Sequence, residues 1–184
     1  MTSSATVEGG GRQRLFCALT LPGTVLDRLV EWQARELRGD ARIVPRHNLH
    51  VTVAFLGHRP EAEAASIAVE LTAAASAAGP IRFRVQRYRE TRSVGMVVLE
   101  DVGGRAAPFA LDLFQRLERL GVYERERRPW LPHVTVLRFR KPPLLRPELP
   151  DLGEFVPSGA AVYLSRLRPG GAQYVVLESS GLGG

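Results

Sequence analysis

Two stretches of this chain spell nearly the same strand, "NLHVTVAFLG" at 48–57 and "PHVTVLRF" at 132–139. Each contains H-V-T-V, as His50-Val51-Thr52-Val53 and His133-Val134-Thr135-Val136, and the two histidines stand 83 positions apart in a chain of 184 residues. Side chains two apart on a strand project to the same face. His50 and Thr52 therefore share one face, with Leu49, Val51, Val53 and Phe55 on the other, and His133 and Thr135 repeat the arrangement against Val134 and Val136. Each motif strand needs an apolar layer behind it and a polar opening in front. A fold that satisfies this twice, at nearly half-chain spacing, has two related halves.

The surrounding pattern agrees. "RLFCALTLP" (14–22) reads as a strand stopped by Pro22 and Gly23. Leu26, Leu29, Val30 and Leu37 then recur at helical spacing, with Thr24 offering an N-cap. After the first motif, Ala64, Ile67, Ala68, Leu71, Ala74, Ala75 and Ala78 trace a second helix between Pro60 and Gly79-Pro80. "IRFRVQRY" and "VGMVVLE" are paired strands, and Ala110, Leu113, Phe114, Leu117 and Leu120 mark a third helix closed by Gly121. A proline-rich connection (142–157) and a hairpin turned at Pro169-Gly170-Gly171 end the chain. Strand, helix, motif strand occurs twice, which predicts an α+β fold of two lobes. The expected organisation is a flexible tail at 1–13, one bilobal domain at 14–179 and a flexible end at 180–184.

Composition narrows the class. Hydrophobic residues at 45% suit a globular protein, and no apolar run approaches the roughly 20 residues of a membrane helix. The first residues lack the basic and apolar segments of a signal peptide, and Cys17 has no partner for a disulfide. The expected location is the cytoplasm, with no membrane association and no obligate protein partner. The net charge of +6 suits phosphate-bearing partners. All basic residues except Lys141 are arginine, however, and a cluster such as Arg82, Arg84, Arg87, Arg89 and Arg92 also reads as a solvated strand face.

Two imidazoles and two hydroxyls, without a nearby carboxylate, suit one task. A neutral histidine removes a proton from a nucleophile, a protonated one donates to a leaving oxygen, and both forms exist near neutral pH. Threonine hydroxyls can donate to non-bridging phosphate oxygens. Phosphodiester cleavage without metal needs these parts. A metal site is the competing reading, but His47 and His50 have no cysteine or acid beside them at ligand spacing. No metal and no cofactor are expected.

At these residues the chain resembles the 2H phosphoesterases, specifically the RNA 2′,3′-cyclic phosphodiesterases also called 2′-5′ RNA ligases. The resemblance rests on "RLFCALTLP", "NLHVTVAFLG", "RPWLPHVTVLRF" and "YVVLES". It implies an α+β, bilobal fold: two antiparallel sheets in lobes related by a pseudo-twofold axis around a central cleft, with helices on the outer faces. It also implies His50 as general acid, His133 as general base, and Thr52 and Thr135 as phosphate-binding residues. The implied reaction is metal-independent hydrolysis of a 2′,3′-cyclic phosphate end of RNA, or of a small cyclic nucleotide, to a 2′-phosphomonoester. A non-catalytic RNA-end-binding module and 2′-5′ ligation as a side activity are the alternatives. Arg138 matches a family arginine, but strict alternation turns it away from His133, so reaching phosphate needs a bulge or the end of the strand. It and Phe16 are also candidates to stack on a nucleobase, Phe16 serving equally as a core residue. Trp130 and Leu131 depart from the phenylalanine and histidine of many relatives.

Overall fold

Apolar alternation builds the outer strands as the sequence predicts. In the computed structural model, which describes residues 11–37, 39 and 41–183, Ile81 and Phe83 are fully buried while Arg82 and Arg84 face water. The strands are β1 (Arg12–Thr20), β2 (Arg42–Ile43), β3 (Val51–Pro60), β4 (Arg82–Glu90), β5 (Val94–Val102), β6 (His133–Arg138), β7 (Gly159–Arg168) and β8 (Gly171–Ser180). The helices are α1 (Gly23–Glu36), α2 (Ala64–Ala77) and α3 (Ala106–Arg119). Neighbouring strands run in the order β4-β5-β6-β3-β1-β7-β8, all antiparallel, with β2 beside β6.

The two expected sheets are joined. β4, β5, β6 and β2 form one, β3, β1, β7 and β8 the other, and a single residue pair, Val51 with Val134, connects them. Both motif strands therefore lie at the seam. The halves also exchange elements. From the first half, α1 packs behind β6: its buried Gln33 donates from Nε2 to the carbonyls of Val44 (3.0 Å) and Val136 (2.9 Å). Trp32 comes within 6.3 Å of Tyr88 on β4. From the second half, α3 packs against α2 and β3, and Arg116 joins Asp112 to Glu70.

Local chemistry sets the helix ends. The Asp101 carboxylate accepts from the backbone N–H groups of Arg105, Ala106 and Ala107 at 2.9–3.0 Å, which satisfies the exposed donors at the start of α3. Thr24 does not cap α1: the helix begins at Gly23 after Pro22 and has no side-chain cap. The buried face of α1 is Val25, Leu29, Trp32 and Gln33, with Val30 exposed, because the large indole and the doubly bonded amide determine which side faces inward. α2 buries Ile67, Ala68, Leu71, Ala74 and Ala75 as predicted.

The N-terminal tail falls, for residues 1–10, outside the described residues. β1 already includes Arg12 and β8 reaches Ser180. Beyond it, Leu182 packs against the core and the Gly183 N–H donates to the Ala75 carbonyl at 2.8 Å.

Candidate active site

A bulge at the last valine of each motif decides what faces the opening. Against β1, Cys17 pairs with Ala54 and Ala18 with Thr52, leaving Val53 as an extra residue. Against β5, Gly95 pairs with Leu137 and Met96 with Thr135, leaving Val136 extra. Both interruptions reverse the alternation. Val53 and Ala54 are consecutively buried, as are Val136 and Leu137. Phe55 and Arg138 are thereby brought onto the same face as the histidines. Arg138 satisfies the condition that the sequence set for it. Phe55 is a correction: expected behind the strand, it is 47% exposed and lines the cleft. The two strands are equivalent through H-V-T-V-x-Phe and H-V-T-V-x-Arg.

The seam register places the motif side chains. With Val51 opposite Val134, the antiparallel direction sets His50 across from Thr135 and Thr52 across from His133. The histidines are then diagonal neighbours, with side-chain roots about 7–8 Å apart. The His50 Nδ1–H donates to the Asn48 carbonyl at 2.8 Å and the His133 Nδ1–H to the Leu131 carbonyl at 2.8 Å. A carbonyl only accepts, so both neutral rings carry their proton on Nδ1 and leave Nε2 as the acceptor. The Thr52 hydroxyl, at 2.9 Å, donates to Nε2 of His50.

Burial lowers the pKa of both rings. His50 falls to about 4, mainly through desolvation and further through the charges of His133 and Arg138, against the opposing effect of the Asn48 bond. His133 is also lowered, first by desolvation, then by Arg128 and Arg89, with the Leu131 bond opposing.

Two cavities meet at Thr52 and Phe55. One of about 420 Å³ holds His50, Thr52, Thr135 and Arg138, and one of about 680 Å³ holds His133 beside Arg87, Arg89 and Trp130. Phe16 lines the smaller cavity and is largely covered by other rings. Only 3% exposed, it stacks on Tyr163 at 4.9 Å, lies 4.9 Å from the His50 ring and meets Tyr174 edge-on. It forms the wall behind His50. Residues not singled out from the sequence complete the site. Arg14 lies 4.8 Å over the Phe55 ring, and Arg42 and Tyr174 line the smaller cavity. The Trp130 indole N–H donates to the Thr52 carbonyl at 3.0 Å, tying the loop before the second motif to the first motif strand. Among the described residues, no three His, Cys, Asp or Glu side chains gather as a metal site would, and no acid lines the smaller cavity.

The family model described as the 2′-5′ RNA ligase superfamily matches residues 24–166, a span that contains both motifs. The chain belongs to the 2′-5′ RNA ligase superfamily. A relative in Thermus thermophilus named RNA 2′,3′-cyclic phosphodiesterase is 35% identical over 187 aligned residues, covering 93% of this chain and 91% of its own. An Escherichia coli relative of the same name is 31% identical over 136 residues, covering 68% of this chain and 72% of its own. Solved structures share the fold. A crystal structure of a Thermus thermophilus protein matches with a TM-score of 0.79 at 32% identity, over 92% of this chain and 97% of that one. Escherichia coli LigT shares the fold, with a TM-score of 0.77 at 23% identity over 95% of this chain and 100% of its own. Superfamily membership agrees with the resemblance drawn from the two H-V-T-V strands.

Proposed function

We propose that the chain hydrolyses 2′,3′-cyclic phosphate ends of RNA to 2′-phosphomonoesters, with His133 as general base, His50 as general acid and no metal. The observation that carries this reading is the pair of imidazoles on adjacent strands, each held by its own backbone carbonyl, with Nε2 of His133 left to the cleft and Nε2 of His50 accepting from Thr52. The relatives' shared name supplies the reaction class. His133 Nε2, with no partner among the described residues, takes a proton from water as the oxygen attacks phosphorus. The P–O3′ bond breaks, His50 Nε2 gives its proton to O3′, and the phosphate stays on O2′.

In the free cleft His50 is neutral at pH 7, so its role as acid depends on the proton that a bound phosphate brings back. A buried imidazolium that holds its proton weakly is a strong acid for a poor leaving oxygen, and the substrate's negative charge restores the proton to the ring while bound. Once Nε2 of His50 is protonated it no longer accepts from Thr52, so that hydroxyl is free to donate to a phosphate oxygen. Thr135 and Arg138 serve the same oxygens from the other strand. The residues near His50 are cationic or neutral, an environment that repels a metal ion and attracts phosphate.

The test is incubation in EDTA with an oligonucleotide ending in a 2′,3′-cyclic phosphate, followed by identification of the product. A 2′-phosphomonoester formed at an undiminished rate is expected. His50→Ala and His133→Ala should each lower kcat by at least about 10²-fold with the fold intact. Turnover that requires added metal, or survives both substitutions, overturns the scheme.

A further inference from the structure

Some of the arginines pair with acids and others do not. Arg46, Arg59, Arg82, Arg84, Arg116, Arg125 and Arg128 each reach an acid within 4 Å. Among the described residues, Arg42, Arg138, Arg140 and Lys141 have no such partner, as is also true of arginines elsewhere such as Arg12, Arg14, Arg87, Arg89 and Arg166. The first four line a groove of about 750 Å³ with no acid in its wall. The groove shares Arg42 and Arg138 with the cavity that holds His50.

A second observation points to an anion. Arg42 of β2 and Arg138 of β6 are direct cross-strand partners. Like charges placed directly opposite one another destabilise a sheet. An anion bound between them relieves that repulsion. After β6 ends at Arg138 the chain bends at Arg140 and Lys141 and reaches Pro142-Pro143 in the same groove wall.

We infer that Arg42, Arg138, Arg140 and Lys141 form a track for the sugar–phosphate backbone of nucleotides upstream of the reacting end, so that the chain favours a polynucleotide over a single cyclic nucleotide. This rests on the activity proposed above. The bound class is single-stranded RNA held through its phosphates, and such contacts position a strand without reading its sequence. Arg138 lies where the terminal nucleotide passes into the track, and Arg140 and Lys141 touch only what lies further upstream.

The test compares a mononucleoside 2′,3′-cyclic phosphate with a hexanucleotide carrying the same end, both at low ionic strength in EDTA. Wild-type protein should show a higher kcat/KM for the hexanucleotide. The Arg140→Ala plus Lys141→Ala variant should lose on the order of tenfold of that preference, as expected for two exposed charge contacts, with the mononucleoside rate unchanged. Its slope of log kcat/KM against log salt for the hexanucleotide should fall by about 1.4, two contacts at about 0.7 each. Arg87→Ala plus Arg89→Ala removes two charges from the other end of the cleft and is the matched control.

The track is overturned if wild type shows no preference, if the preference survives loss of Arg140 and Lys141, or if the control removes it equally. Absence of turnover on both substrates overturns the hydrolytic reading instead. Fluorescence anisotropy with the hexanucleotide and the same variants then decides the track alone: selective weakening by the Arg140 and Lys141 substitutions supports it, and unchanged or equally weakened binding overturns it.

Discussion

His50, with a pKa near 4, and His133, also below its ordinary value of 6.5, both lose their protons in mildly acid solution when the cleft is free. The reacting form needs one proton on the pair. kcat/KM, which reports free enzyme, should therefore peak between about 4 and 6.5 and fall roughly tenfold per unit once the last proton leaves. The bound substrate is anionic and favours the imidazolium, so the limbs of kcat should lie at higher pH than those of kcat/KM. Rate profiles over pH 4 to 9 check this. A kcat/KM optimum above pH 7.5 contradicts the free-state charges. Cys17 has a different fate: burial pushes its thiol up to about 12. It should resist thiol reagents in native protein and react only after denaturant is added.

Among the elements, α1 has the least obvious connection to chemistry and one of the most specific. The Gln33 amide holds the Val136 carbonyl at the bulge that turns Arg138 toward the cleft. Gln33→Leu should cost about 2–3 kcal/mol in urea unfolding, because two buried carbonyls lose this donor. It should also lower kcat/KM at least about tenfold as the bulge relaxes. Asp101→Ala, which removes the cap of α3, should cost about 1–2 kcal/mol and leave kcat/KM unchanged. This contrast marks the limit of what the sequence could tell. The H-x-T pairs were legible because period-two alternation is a local rule. So were the buried alanines of α2 and the Pro-Gly hairpin. The bulges at Val53 and Val136 were not, since nothing in valine signals one. They arise from pairing with β1 and β5, and for that reason strict alternation puts Phe55 on the wrong face. The role of Gln33 has no local signal, because its partners are distant in sequence. Asp101 lies before its helix and caps it through a turn, so helical periodicity did not reveal it.

At the scale of the whole molecule, acid should weaken the fold through the same histidine that serves the site. The folded pKa of His50 lies below its unfolded value. Its contribution is therefore fully present above about pH 6.5 and is lost as pH falls toward 4, to a maximum of roughly 3 kcal/mol. Urea unfolding at pH 7 and pH 4.5 should show that loss in wild type, and His50→Gln should show a smaller one. The interchange of elements between the halves has its own outcome. Cutting the chain between β4 and β5, near residue 92, would strand β1 without β7, β2 without β6 and α1 without the wall it covers. Neither piece could assemble alone, and mixing the two should restore a single folded species. Twin-looking motifs need not come from detachable modules: here each copy of the repeat is completed by material from the other.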